Sequence, residues 1–224
     1  MSDIPKTVSK RSVMEQETEL FGEHFVETRN RKMPKLIIDK FADNLDEFRN
    51  QISGCLNCVL GESRTNFVFG SGSPTADLMF VGEAPGKNED LQGLPFVGRS
   101  GNLLDDILTA INLKRTDVYI ANIAKCRPPN NRNPLAGEIA SCEPYLKHQI
   151  DIIKPKLLIA LGLVAAKTIL RLDESLGNMR GKIHKYHETD LIVTYHPAAL
   201  LRNPNLKHAA WEDFQKIRDN YLKN

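Results

Sequence analysis

Cys55 and Cys58 stand two residues apart, and Cys126 and Cys142 follow in a second segment with fifteen residues between them. A Cys-x2-Cys pair puts two thiolates on one turn, and a second segment folded against it completes a four-sulfur set suited to zinc or to an iron-sulfur cluster. The residues alone favour zinc slightly, with plain reduced thiols as a third reading, since no histidine has ligand-like spacing to the four. An even cysteine count in a chain without an export signal argues for metal before disulfides. Tandem ferredoxin spacing is absent, so a cluster here would clamp segments rather than relay electrons.

A second group of residues points to a ligand site. The apolar run Leu78 to Val81 opens into a glycine-studded loop, Gly82 to Arg99, that includes Glu83, Ala84, Glu89, Pro95 and Phe96. Neither the dinucleotide fingerprint nor the Walker pattern follows the run. Phe96, an aromatic within a polar loop, must either plug the core or offer its face to a flat ligand such as a base. Asn122 ends a second apolar run and leads into a short basic loop with Lys125, Arg127 and Arg132, suited to phosphates or simply solvated. His196, locked by Pro197 at the end of a third run, precedes Leu200, Leu201 and Arg202. Leu200 or Leu201 is open to two readings, a core residue, slightly favoured for one of the two, or a wedge pressed into a duplex from which a nucleotide has been extruded.

These residues need elements to position them. Four short apolar runs, Asp77 to Val81, Val118 to Ala121, Lys156 to Leu161 and Leu191 to Thr194, read as buried parallel strands. Between them Ser100 to Ile111, Ala136 to Ile153 and Val164 to Leu170 carry apolar residues at helical spacing, and Leu206 to Leu222 reads as a closing amphipathic helix. The fold class expected is α/β: a single domain with a central four-stranded parallel sheet flanked by helices on both faces. The carboxyl ends of those strands line up Gly82-Glu83, Asn122, Gly162 and His196 along one rim, the place where open α/β sheets bind ligands. Residues 1–50 read as an N-terminal extension, partly disordered or helical, with a helix over Asp43 to Ser53, and residues 51–224 as the main folded domain. With 41% hydrophobic residues in 224 the chain can bury a sizeable core, and its net charge of +2 decides nothing about partners. The apolar stretch Leu157 to Ala166 is too short for a bilayer, which predicts a soluble cytoplasmic protein without membrane association.

Gly82-Glu83-Ala84-Pro85-Gly86, Gly93-x-Pro95-Phe96-Val97-Gly98-Arg99, Asn122, Lys125-Cys126-Arg127-Pro128-Pro129 and His196-Pro197-Ala198-x-Leu200-Leu201-Arg202 together resemble the family 4 uracil-DNA glycosylases, the iron-sulfur branch of that superfamily. The likeness spans Cys55 to about Pro204. It implies a 4Fe-4S cluster on Cys55, Cys58, Cys126 and Cys142 in place of zinc. It also implies a base-excision enzyme that flips uracil from single- or double-stranded DNA and hydrolyses its glycosidic bond. Gly82, Glu83, Ala84, Phe96, Asn122 and His196 would bind uracil, with His196, Glu83 and Asn122 catalytic and Glu89 a weaker carboxylate candidate. Lys125, Arg127, Leu200, Leu201 and Arg202 would contact DNA. A branch of the superfamily that traps its product carries a reactive histidine in the loop after the asparagine motif. Arg127 to Ser141 contains none, which implies multiple turnover. Another iron-sulfur branch lacks the carboxylate at Glu83 and accepts more bases, so a narrower range is implied here. A monomer is expected, with the extension available to a replication clamp or another repair protein.

Overall fold

The computed structural model describes Ile38 and residues 40–222, and the remainder of the proposed extension lies outside the described residues. In chain order the elements are helices α1 (Leu45–Ile52) and α2 (Leu60–Ser63), strands β1 (Ser71–Gly72) and β2 (Leu78–Gly82), and helices α3 (Lys87–Gln92) and α4 (Arg99–Ala110). Strand β3 (Tyr119–Asn122), helix α5 (Ala136–Ile153), strand β4 (Leu157–Leu161) and helices α6 (Leu163–Leu170) and α7 (Leu176–Met179) follow. The chain closes with the hairpin β5 (Ile183–Tyr186) and β6 (Thr189–Thr194), then helices α8 (Pro197–Arg202) and α9 (Lys207–Tyr221).

The strands form one six-stranded sheet in the order β1-β3-β2-β4-β6-β5. Its four central strands are parallel, as the apolar runs predict, with Gly82 opposite Asn122 and Leu161 opposite Thr194. The count of four grows to six because short antiparallel strands cover both edges, β1 against β3 and β5 against β6. Two residues of Ser-Gly carry no periodic signal, and Ile183 on β5 is exposed, so neither edge reads as a buried run.

Successive side chains on a strand face opposite ways, and both faces here are apolar. Met79, Val81, Leu158 and Ala160 pack under α5 and α6 through Leu146, Ile150, Ala165 and Ile169. Leu78, Phe80, Leu157 and Ile159 pack on the other side under α4 and α9 through Leu104, Leu108, Phe214 and Ile217. A third cluster joins Phe48 and Ile52 of α1 to Phe69, Tyr145, Cys55 and Cys142. Asn44 caps α1 by accepting from the Glu47 N–H at 2.9 Å. Ile38, Phe41 and Ala42, which precede α1, pack against the same cluster, so the described part of residues 1–50 is joined to the domain. No helix among the described residues is long and apolar enough to cross a membrane.

Candidate active site and cysteine centre

A cleft of about 560 Å³ opens at the carboxyl rim of the sheet, within the range of small-ligand pockets. Glu83, Ala84, Phe96, Asn122, His196 and Arg202 all line it, so the strand ends bring together residues that are far apart in sequence. The parallel pairing of β2 with β3 continues past the strands, the Ile123 and Ala124 N–H groups donating to the Gly82 and Glu83 carbonyls at 2.9 and 3.0 Å.

Asn122 is the critical polar group. It is buried, and its Oδ1 is the one buried side-chain N or O atom among the described residues without a hydrogen-bond partner. An unpaired buried acceptor is costly, which points to a donor that arrives with a ligand. Gly82 sits directly against it. A Cβ at Gly82 would collide with Asn122 Oδ1 and lie 2.6 Å from Phe96 Cζ, so only glycine leaves the amide and the ring their places. The Phe96 ring in turn faces the His196 imidazole, with centroids 5.4 Å apart. One amide, one ring and one imidazole thus border a single space.

His196 caps α8, its Nδ1 accepting from the Ala198 N–H at 3.1 Å. That bond requires an unprotonated Nδ1, so the neutral ring carries its hydrogen on Nε2. Burial lowers its pKa to about 4, with the Arg202 charge acting in the same direction and Glu89 opposing. The ring is therefore a neutral donor near pH 7. Sequence reasoning missed its support. Thr194 Oγ1 and Arg180 Nε both donate to the buried Asp213 carboxylate, at 2.6 and 2.9 Å, and the Arg180 guanidinium lies 4.3 Å from the centroid of the Tyr195 ring. This network fixes the strand end that leads into His196. Its members are scattered over β6, α9 and the turn after α7, with no motif to flag them.

Glu83 is half-buried in the cleft, and burial raises its carboxyl pKa. Glu89 is not a solvated loop carboxylate. It is buried and accepts from three backbone N–H groups, of Gly86 at 3.1 Å, Val97 at 3.0 Å and Gly98 at 2.8 Å.

Among the expected DNA contacts, Lys125 needs correcting. Its side chain is wholly buried, and Nζ donates to the Asn122 carbonyl at 2.9 Å and to Gln149 Oε1 at 2.5 Å, out of reach of any phosphate. Leu200 needs correcting too, since at 2% exposure it belongs to the core and has no surface to offer DNA, whereas Leu201 is 38% exposed. Arg127 donates to Asn131 Oδ1 at 2.7 Å, and Arg132 forks onto Glu138 at 2.6 and 2.8 Å, shaping the basic loop. Arg202 is exposed at the cleft mouth.

The four cysteines lie within electrostatic range of one another. Every sulfur is met by a donor. Cys55 Sγ accepts from the Asn57 N–H at 3.4 Å and the Tyr145 hydroxyl at 3.1 Å, Cys126 Sγ from Arg64 at 3.3 Å, and Cys142 Sγ from the Lys125 N–H at 3.2 Å. The Leu60 and Gly61 backbone meets Cys58. Burial pushes the Cys126 thiol up to about 11 and Cys142 up to about 12. Free thiolates would be costly here, whereas N–H···S bonds of this kind support metal-bound sulfur. Among the described residues no group of three or more Cys, His, Asp or Glu side chains is arranged to hold a metal ion.

A family model described as the uracil DNA glycosylase superfamily matches residues 69–215, a stretch that contains the sheet and every cleft residue named above. The chain is 49% identical over 186 residues to a type-4 uracil-DNA glycosylase of Sulfurisphaera tokodaii, which covers 79% of this chain and 84% of that protein. Type-4 uracil-DNA glycosylases of Archaeoglobus fulgidus and Pyrobaculum aerophilum are 42% and 44% identical, over 78% and 77% of this chain and 92% and 90% of their own lengths. The chain belongs to the uracil-DNA glycosylase superfamily and, within it, to the type-4 family.

Proposed function

We propose that the protein is a monofunctional uracil-DNA glycosylase that receives a uracil swung out of single- or double-stranded DNA and hydrolyses its glycosidic bond, leaving an abasic site and free uracil. The observation that carries this reading is the orphaned Asn122 Oδ1 beside the Phe96 ring. The N3–H of uracil supplies the missing donor, and O4 accepts from the same carboxamide while Phe96 stacks on the ring. Cytosine reverses both polarities and leaves the buried amide mispaired, a mismatch that discriminates by roughly 10⁴-fold. Thymine differs by one methyl group and is excluded by close packing at C5.

As the bond breaks, negative charge builds on the base and the sugar becomes cation-like. His196 Nε2–H donates to O2 as that charge develops, a preorganised contribution of about 3 kcal/mol that needs no proton transfer. Glu83, with Gly82 and Ala84 beside it, is assigned to the sugar side, where a carboxylate offsets the cation and orients water. Arg127 and Arg202 face phosphates, and Leu201 fills the gap left by the extruded nucleotide.

The four cysteines are assigned to a 4Fe-4S cluster. Four sulfurs in electrostatic range of one another, each met by a hydrogen-bond donor, support this reading. When bound, the cluster supplies a cross-link between the segment before α2, the loop after β3 and α5.

The test is incubation with oligonucleotides carrying one uracil, thymine or cytosine, followed by alkali. Scission is expected for the uracil strand alone, and it is expected to be strongly slowed by Asn122→Ala or His196→Ala. An intact uracil strand with the wild-type protein would falsify the reading.

A further inference from the structure

Phe96 holds its backbone at φ 52°, a left-handed conformation unusual for an aromatic residue, in the wall of the cleft. A return to ordinary negative φ would redirect its Cα–Cβ bond and swing the ring away from Gly82, Asn122 and His196. Two charged side chains hold the backbone, Glu89 in the cleft wall and Arg115, which is not among the lining residues. The terminal nitrogens of Arg115 donate to the carbonyls of Pro95 and Phe96, the latter at 2.8 Å, and Nη1 also reaches Asp105 Oδ1 at 2.8 Å. On the following side, Glu89 Oε1 accepts from the Val97 and Gly98 N–H groups. A cation therefore holds the peptide oxygens before the turn and an anion the peptide hydrogens after it. Gly101, in the first turn of α4, lies so close that any Cβ would strike the Phe96 carbonyl.

We infer that Arg115 and Glu89 form a charged clamp that fixes Phe96 in the conformation its ring needs to face the base, which makes Arg115 a positioning residue for base recognition. The inference rests on reading the cleft as a uracil site. A guanidinium suits the task because its rigid fork spans two carbonyls and a carboxylate at once, whereas an ammonium on a flexible stem does not. Arg115 itself touches no base. It acts only through the peptide that carries the ring.

The test is a double-mutant cycle in the full-length protein, measured as single-turnover release of uracil at saturating oligonucleotide. Arg115→Met is expected to slow release by roughly 10- to 100-fold, the scale of a misplaced reacting geometry, and Arg115→Lys not to restore it. Phe96→Gly removes the ring and accepts positive φ freely, so adding Arg115→Met to it is expected to cost less than about twofold. Losses that multiply, or an Arg115→Met protein that melts lower but releases uracil at the wild-type rate, overturn the clamp. Hydrogen exchange supplies a second readout. The Val97 and Gly98 amides are expected to exchange faster in Arg115→Met, and unchanged exchange there also overturns it. Should Arg115→Met fail to fold, Asp105→Asn takes its place in both arms. A wild-type protein that leaves uracil in place defeats the functional reading, and the exchange measurement still judges the clamp by itself.

Discussion

The cleft and the cysteine centre both take residues from the loop after β3 and are built on opposite rules. In the cleft a buried amide oxygen has no partner, a carboxyl is pushed up by burial and an imidazole is kept neutral. At the cysteines every sulfur has a donor, and Cys55 and Cys142 share a cluster with aromatic rings: Phe48 sits 5.6 Å from Phe69, 6.2 Å from Tyr145 and 4.6 Å from His148 between ring centroids. The first arrangement suits a guest that comes and goes, the second a resident group. Lys125 joins the two, its backbone N–H on Cys142 and its ammonium on the Asn122 carbonyl.

Removing the orphaned amide separates the two regions most sharply. Asn122→Ala is expected to lower uracil release by roughly 10³-fold or more, while its melting temperature stays level or rises, because an unpaired buried acceptor is lost. Cys142→Ala is expected to do the reverse in kind, abolishing the visible absorbance that the proposed cluster would give and lowering the melting temperature. Equal thermal penalties for the two variants would break the contrast. Next in size is Gly82→Ala, which pushes Asn122 and Phe96 apart. Release is expected to fall about 10²-fold in single-turnover kinetics, with little change in visible absorbance.

Two groups set the acid limb of the expected pH profile. Glu83, whose carboxyl burial raises above its ordinary value, is protonated first as pH falls, so release is expected to decline on that limb before His196, with a pKa near 4 in the folded protein, takes up its own proton. Stability moves with the same sign. Between the ordinary histidine pKa of 6.5 and the folded value the unfolded chain binds the extra proton, so stability falls as pH drops through that window, which melting curves at pH 7, 5.5 and 4.5 would register. Smallest is the pair of leucines. Leu200→Ala empties core volume and is expected to cost about 2–5 kcal/mol in denaturant unfolding, whereas Leu201→Ala stays within about 0.5 kcal/mol and slows excision from duplex more than from single strands.

The four central strands and the helices between them were legible in the sequence, because a strand buried on both faces must be apolar without interruption and a helix covering it must alternate. The converging rim followed from parallel topology. What periodicity could not reveal is where polar side chains turn inward. Lys125 stands in a run of basic residues and reads as a phosphate contact, yet Gln149, twenty-four residues on, draws it into the core. Glu89 reads as a loop carboxylate and holds three amides instead, and Arg115 gives no sign of gripping a peptide nineteen residues earlier. Such pairings depend on which segments meet after folding, and spacing along the chain does not encode that. Residues 41–50 were assigned to an extension for a related reason. Phe41 and Phe48 find their partners on α5, about a hundred residues away.

The central claim is that Phe96, Asn122 and His196 surround one pyrimidine, and a crystal structure with free uracil bound tests it most directly. The account predicts the ring stacked on Phe96, N3 in hydrogen-bond contact with Asn122 Oδ1 and O2 facing His196 Nε2. Uracil seated elsewhere, or Asn122 Oδ1 still without a partner when the base is bound, would contradict it.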